Sequence, residues 1–213
     1  MNIKVVTKIL DANDRIAETN SRKLKAAGIY TINLMGAPGA GKTSLLECAI
    51  PNLKGGLRMG VIEGDIAGTD DAGRIALHGV PVVQINTGGA CHLDANMIGS
   101  VLDSLPLAEI DVLIIENVGN LVCPAEFSLG EDIKIMVSSI TEGHDKPGKY
   151  PLMFQKSSAL ILNKTDLLPY MDIDMGKFKA GALSLNPKIK IFEVSCKTQE
   201  GVGEFCYWLS ALR

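Results

Sequence analysis

The chain has 213 residues, 46% of them apolar and 21% charged, with a net charge of −3. It is long for one average domain and short for two, so a single α/β domain over 1–213 is the simplest reading. The weak negative charge, with no long run of one sign, excludes nucleic acid or an anionic membrane as a main partner. An odd number of cysteines, five, argues against a disulfide framework and for a reducing cytoplasm.

No apolar stretch approaches a membrane span, and no secretory leader is visible at Met1-Asn-Ile-Lys-Val. Residues 8–27 read as a helix stopped by Gly28, within a helical extension, 1–28, packed on the domain. Apolar runs follow at 30–35, 58–63, 80–86, 110–116, 133–140, 158–162 and 189–194. They are rich in Val, Ile and Leu with little alternation, the pattern of strands buried on both faces. The stretches 93–105 and 201–212 carry apolar residues at helical spacing. The pattern predicts a doubly wound, mostly parallel seven-stranded sheet with helices on both faces. Ligands of such sheets bind at the carboxyl ends of the strands.

Gly36-Ala-Pro-Gly-Ala-Gly-Lys-Thr43 follows the first predicted strand and opens a helix. It fits the phosphate-binding loop pattern. Gly36, Pro38, Gly39, Ala40 and Gly41 would wrap an anion in backbone N–H groups, helped by the helix N-terminus and Ser44. Lys42 reaches toward β- and γ-phosphates, and the Thr43 hydroxyl suits Mg²⁺.

Asn163-Lys-Thr-Asp166 stands at another strand end, about 120 residues later. The Asp166 carboxylate can accept from guanine N1–H and the 2-amino group, a pairing that adenine lacks. Sites built on such bonds reject the wrong base by about 10⁴–10⁵-fold. Lys164 would lie along the base and Asn163 would brace the loop. Ser195-Cys196-Lys197 would bring backbone N–H groups near guanine O6. The expected nucleotide is therefore GTP or GDP.

Carboxylates end two more strands. Glu116 and Asp65 are the candidates for Mg²⁺, with Asp71 orienting the attacking water, and Gly119 is placed to sense the γ-phosphate. With no glutamine in an obvious water-positioning place, slow intrinsic hydrolysis is expected.

Cys91-His92 precedes a helix expected to begin near Leu93, and Cys123 lies seven residues after Glu116. Thiolate and imidazole together suit Zn²⁺ or Ni²⁺. The helix N-terminus should make Cys91 the more acidic thiol. Three ligands leave a shell incomplete, and two copies about a twofold axis would offer six. The plainer alternative is two buried cysteines and a capping histidine. Cys48, Cys196 and Cys206 read as packing or nucleotide-loop residues.

With these motifs in hand, the chain resembles the HypB family of hydrogenase nickel-incorporation GTPases, in the SIMIBI class of P-loop proteins. The shared segments include Glu63-Gly-Asp65, Asp71-Ala-Gly-Arg-Ile75, Cys91-His-Leu-Asp-Ala95 and Glu116-Asn-Val-Gly-Asn-Leu-Val-Cys-Pro124, besides the two nucleotide motifs. The resemblance implies GTP hydrolysis linked to Ni²⁺ delivery into [NiFe] hydrogenase. It implies a metal site of Cys91, His92 and Cys123 across a GTP-promoted homodimer. Its implied partners are a zinc-binding nickel-insertion protein of the HypA type and the hydrogenase large-subunit precursor. Lys146 or Lys149 is a candidate to reach a neighbouring subunit's nucleotide. Met1 to Val6 lacks the Cys- or His-rich segment that many members carry, and Gly88-Gly-Ala90 lacks their lysine between glycines. Other readings are a GTPase serving urease or a cobalamin enzyme, a passive metal store, and a small-molecule kinase. The Glu116–Pro124 wording opposes the first, and a guanine reader opposes the last.

Overall fold

A computed structural model describes residues 8–212. Residues 1–7, which include the segment without Cys or His, and Arg213 lie outside the described residues. Helix α1, Lys8–Ala26, carries Asp11 in its first turn and Lys23 and Lys25 in its last, charges that complement the helix dipole. Its end closes where Gly28 N–H and Ile29 N–H donate to Lys25 O and Leu24 O, each at 3.0 Å.

The strands are β1 (Tyr30–Gly36), β2 (Met59–Asp65), β3 (Val82–Asn86), β4 (Val112–Glu116), β5 (Ile133–Ser139), β6 (Ala159–Asn163) and β7 (Lys190–Glu193). They form one sheet in the order β3-β2-β4-β1-β5-β6-β7, with every ladder parallel. Each predicted apolar run overlaps one of these strands, and β1, β2 and β6 continue one or two residues beyond it. The helices between them are α2 (Lys42–Leu53), α3 (Asp70–Ala76), α4 (Ala95–Val101), α5 (Cys123–Glu126), α6 (Lys146–Lys149), α7 (Pro151–Lys156), α8 (Met175–Leu185) and α9 (Val202–Ser210).

Successive strand residues serve opposite faces. Ile32, Leu34, Ile114, Val137 and Ile161 pack with Leu45 and Ile50 of α2 and Phe205 and Leu209 of α9. On the other face Leu113 and Ile115 join Leu24 of α1 and Ile98 of α4, while Met136, Leu160 and Leu162 meet Phe154 of α7 and Phe178 of α8. Both faces are covered, which is why the central strands read as unbroken apolar runs. The fold is thus a doubly wound P-loop architecture. One helix differs from expectation: α4 starts at Ala95 rather than near Leu93, because Asp94 accepts from Met97 N–H (2.8 Å) and sets the N-cap there. No helix among the described residues is long and apolar enough to cross a membrane.

Candidate functional site

The carboxyl edge of the sheet gathers the chemistry. β1 ends at Gly36 and the chain turns into α2, whose N-cap Gly41 has φ +94° and no side-chain cap. The N–H groups of the first turn are therefore left for an anion. A Cβ at Gly41 would stand 2.3 Å from Asn163 Nδ2, so only glycine admits the contact. Asn163 Nδ2 donates to Ala40 O (3.0 Å) and Lys164 Nζ to Gly39 O (2.7 Å), pinning the phosphate loop to the Asn163–Asp166 loop. A cavity of about 400 Å³ opens over Lys42, Thr43 and Ser44, with Asp65, Asp71 and Glu116 on its other wall.

Glu116 ends β4 and lies opposite Glu63 in the β2–β4 register. The two side chains belong to residues only 3% and 2% exposed. Burial, reinforced by the charge of Glu116, pushes the Glu63 carboxyl up to about 10. Burial also raises Glu116, against the opposing pull of Lys42 and Thr43. Thr43 Oγ1 donates to Glu116 Oε1 (2.9 Å), and the buried Glu63 and Glu116 carboxyl groups hydrogen-bond one another. A buried pair of carboxyl groups beside a threonine hydroxyl and a phosphate cradle fits Mg²⁺, a hard cation that takes oxygen ligands.

Asp65 closes its own loop, accepting from Ile66 N–H (2.7 Å) and Gly68 N–H (2.8 Å). Asp71 is held by Arg74 (2.9 Å), which also pairs with Glu47 and reaches Ser44 Oγ. The segment after Glu116 lies on the phosphate loop: Asn120 N–H donates to Gly36 O (2.9 Å), and a Cβ at Gly119 would stand 2.8 Å from Pro38 Cα.

A second cavity of about 430 Å³ shares Gly41, Ser44 and Lys164 with the first and holds Asp166, Cys196 and Lys197. Ser195 Oγ donates to Asp166 Oδ1 (2.7 Å), fixing the carboxylate. Asn163 Oδ1 accepts from Lys164 N–H (2.7 Å) and Cys196 N–H (3.2 Å). Cys48 Sγ donates to Cys196 O (3.3 Å), so this pair braces the loop.

Beyond β3 and β4, donor atoms of Cys91, His92 and Cys123 lie within 4.8 Å of one another. The two sulfurs are 3.2 Å apart and Cys91 Sγ is 3.5 Å from His92 Nδ1. The Cys91 hydrogen bond, then burial, holds the Cys123 thiol above its usual range. Burial lowers His92 despite Asp94 and Glu126, which favours the neutral, ligating imidazole. The donor set suits a borderline-soft cation. Cys91 sits in the turn before Asp94, the N-cap of α4. It is Cys123 that opens a helix, α5.

Supports surround these three residues. The Phe127 ring lies 4.0 Å from that of His92. Lys134 Nζ donates to Pro124 O, Ala125 O and Phe127 O (3.0, 3.0 and 2.8 Å). Asn13 bridges Ala95 N–H (2.9 Å) and Ser128 O (2.8 Å), and Asn20 bridges Ala95 O (2.8 Å) and Leu129 O (3.2 Å). Lys146 and Lys149 stand apart from both cavities, paired with Glu142 (4.0 Å) and Asp145 (2.5 Å). Sequence reading singled out neither Glu63, Arg74, Asn117, Phe127 nor Lys134. Glu63 had a signal, an acid inside an otherwise apolar strand. Asn117 stood inside the shared Glu116–Pro124 segment, and Lys134 had no signal beyond polarity.

The family model for the CobW/HypB/UreG nucleotide-binding domain matches residues 30–193. The chain belongs to this family of nucleotide-binding domains, on its HypB branch. It is 46% identical over 211 residues to the hydrogenase maturation factor HypB of Escherichia coli K12, covering 99% of this chain and 73% of that one. The crystal structure of HypB from Archaeoglobus fulgidus superposes with a TM-score of 0.89 at 38% identity, covering 95% of this chain and 99% of that one. HypB from Helicobacter pylori, crystallised in complex with nickel, gives 0.88 at 37% identity and 93% of both chains.

Proposed function

We propose that this chain is a GTP-hydrolysing nickel metallochaperone for [NiFe] hydrogenase maturation, with nucleotide state setting metal affinity. The observation that carries the reading is the short segment 116–123. It starts at a carboxylate bonded to Thr43, passes Gly119 against Pro38, and ends at Cys123, 3.2 Å from Cys91. One stretch of chain thus touches both sites.

Residues 1–213 act as one domain with α1 as an extension on it. The phosphate loop, with Lys42, cradles GTP or GDP, and Asp166, Lys164 and the loop around Cys196 select guanine. Thr43 and Glu116, with Asp65 nearby, hold Mg²⁺, which when bound neutralises charge on the phosphates. Glu63 faces the same place. Asp71 orients the attacking water, and Arg74 sets its position. Cys91, His92 and Cys123 hold Ni²⁺ or Zn²⁺. Three protein ligands leave the shell open, as suits a cargo ion, and a GTP-promoted homodimer brings two such sets together. The relatives named as hydrogenase maturation factors, one of them crystallised with nickel, support this cargo and client. A HypA-type nickel-insertion protein and the hydrogenase large-subunit precursor are the proposed partners, in the cytoplasm.

The test is a titration with Ni²⁺ in the presence of a non-hydrolysable GTP analogue and of GDP. A difference of about tenfold or more is expected, within the usual range of coupling free energies. Equal affinities remove the switch. Lys42→Ala should abolish hydrolysis, whereas Cys123→Ala should weaken Ni²⁺ binding about tenfold or more and leave turnover within a few-fold. Loss of both functions in Cys123→Ala would make that residue structural instead.

A further inference from the structure

We infer that Asn117 is the side chain that carries nucleotide state to the Cys91–His92 half of the metal pocket. The inference rests on the coupling proposed above and names the group that transmits it. The chain from 116 to 123 accounts for Cys123, but Cys91 and His92 follow a different strand and need a link of their own.

Asn117 follows Glu116 and precedes Val118 and Gly119, and it is 1% exposed. Its N–H donates to Leu34 O (2.9 Å), which ties its backbone to β1. Its Oδ1 accepts from Val118 N–H (3.0 Å) and, across the fold, from Leu93 N–H (3.0 Å). That N–H belongs to the peptide joining His92 to Leu93. Its plane sets the direction in which the His92 backbone leaves the pocket, so the Asn117 oxygen holds the imidazole's base.

The Leu93 side chain is fully buried and lies over Gly64, between Glu63 and Asp65 in sequence; a Cβ on Gly64 would meet Leu93 Cδ1 at 2.6 Å. Leu93 is thus gripped by the two segments that carry the phosphate-end carboxylates. A buried N–H that loses its acceptor is penalised heavily, so the peptide follows the amide or the bond is exchanged for another. Asn117 Oδ1 has a competing donor: Asn117 Nδ2 donates to Asn33 Oδ1 (3.1 Å), while Asn33 Nδ2 is buried with no acceptor. Rotation of the 117–119 backbone toward a γ-phosphate would turn Asn117 Oδ1 from Leu93 to Asn33 Nδ2, and the Leu93 N–H, stripped of its acceptor, would draw the His92 peptide toward a new one. Two arrangements of one buried amide network make a two-state element, the kind that transmits coupling through a packed interior.

The experiment measures Ni²⁺ affinity of the full chain with a GTP analogue and with GDP, reading the thiolate-to-nickel charge-transfer band. Wild type should show a ratio of about tenfold or more. In Asn117→Ala the ratio should fall to about twofold or less, with nucleotide still bound and the charge-transfer band still formed. Should Asn117→Ala fail to fold, Asn117→Ser, too short to reach Leu93, carries the same expectation. A full wild-type ratio in Asn117→Ala or Asn117→Ser overturns the inference and leaves the coupling reading intact. A wild-type ratio near one overturns the coupling reading itself.

Discussion

Glu63 and Glu116 face one another from neighbouring strands with almost no exposure, and their carboxyl groups hydrogen-bond one another. Their ordinary ionised forms would repel in a medium of low dielectric, so the pair retains a proton where free carboxyls would have lost theirs. The sign of the consequence follows from linkage. The Glu63 carboxyl is raised to about 10 in the folded chain against 4.5 for the ordinary group, so the folded state binds the extra proton. Stability from this site is therefore full below about pH 4.5 and falls as pH rises toward 10. Glu63→Gln has no proton to lose. In chelator-treated, nucleotide-free protein, denaturant unfolding between pH 6 and 8 should show wild type losing stability relative to Glu63→Gln as pH rises. Parallel curves would mean that the pair does not share its burial in this way.

At the scale of the element, α1 works as a strap. Its buried Asn13 and Asn20 span from the start of α4 to the 128–129 backbone, and so draw together the loop after His92 and the loop after Cys123. Lys134, on β5, fastens the same region from below by gathering three carbonyls around its ammonium, 12% exposed and 3.5 Å from Glu131. Burial lowers the Lys134 ammonium's pKa, and those carbonyls with Glu131 supply its compensation. Removing a strap bond should register at both ends. Asn20→Ala leaves the carbonyls of Ala95 and Leu129 without this donor and should cost about 2 kcal/mol in urea unfolding, with Ni²⁺ affinity reduced as well. A wild-type unfolding midpoint together with wild-type nickel binding would show that α1 contributes cover and nothing more.

For the whole molecule the question is how many chains complete the metal shell. Cys91 is exposed, and the apolar Val122 beside Cys123 is 53% exposed. On the proposed reading, a ligand set open on one side, next to an uncovered apolar residue, is what a second copy would close. With GTP analogue and Ni²⁺ the native mass should double, and with GDP in chelator it should return to that of one chain, by light scattering on a sizing column. One mass under both conditions would place the coupling inside a single chain.

The local pattern of the chain determined the seven strands, because burial on both faces writes itself as consecutive apolar residues. It also determined the phosphate loop and the Asn163–Asp166 loop, whose chemistry lies in contiguous residues, and it nominated Cys91, His92 and Cys123 by residue type. The tertiary structure alone decided what sequence distance hides. Strand order sets β2 beside β4, so Glu63 meets Glu116. The packing of α4 on that face brings Leu93 to Asn117, and α1 ties together two loops that are far apart in the chain. Periodicity records which side of its own element a residue faces. It carries no record of which strand is the neighbour, and the carboxyl pair, the Asn117 bond and the α1 strap all depend on neighbours.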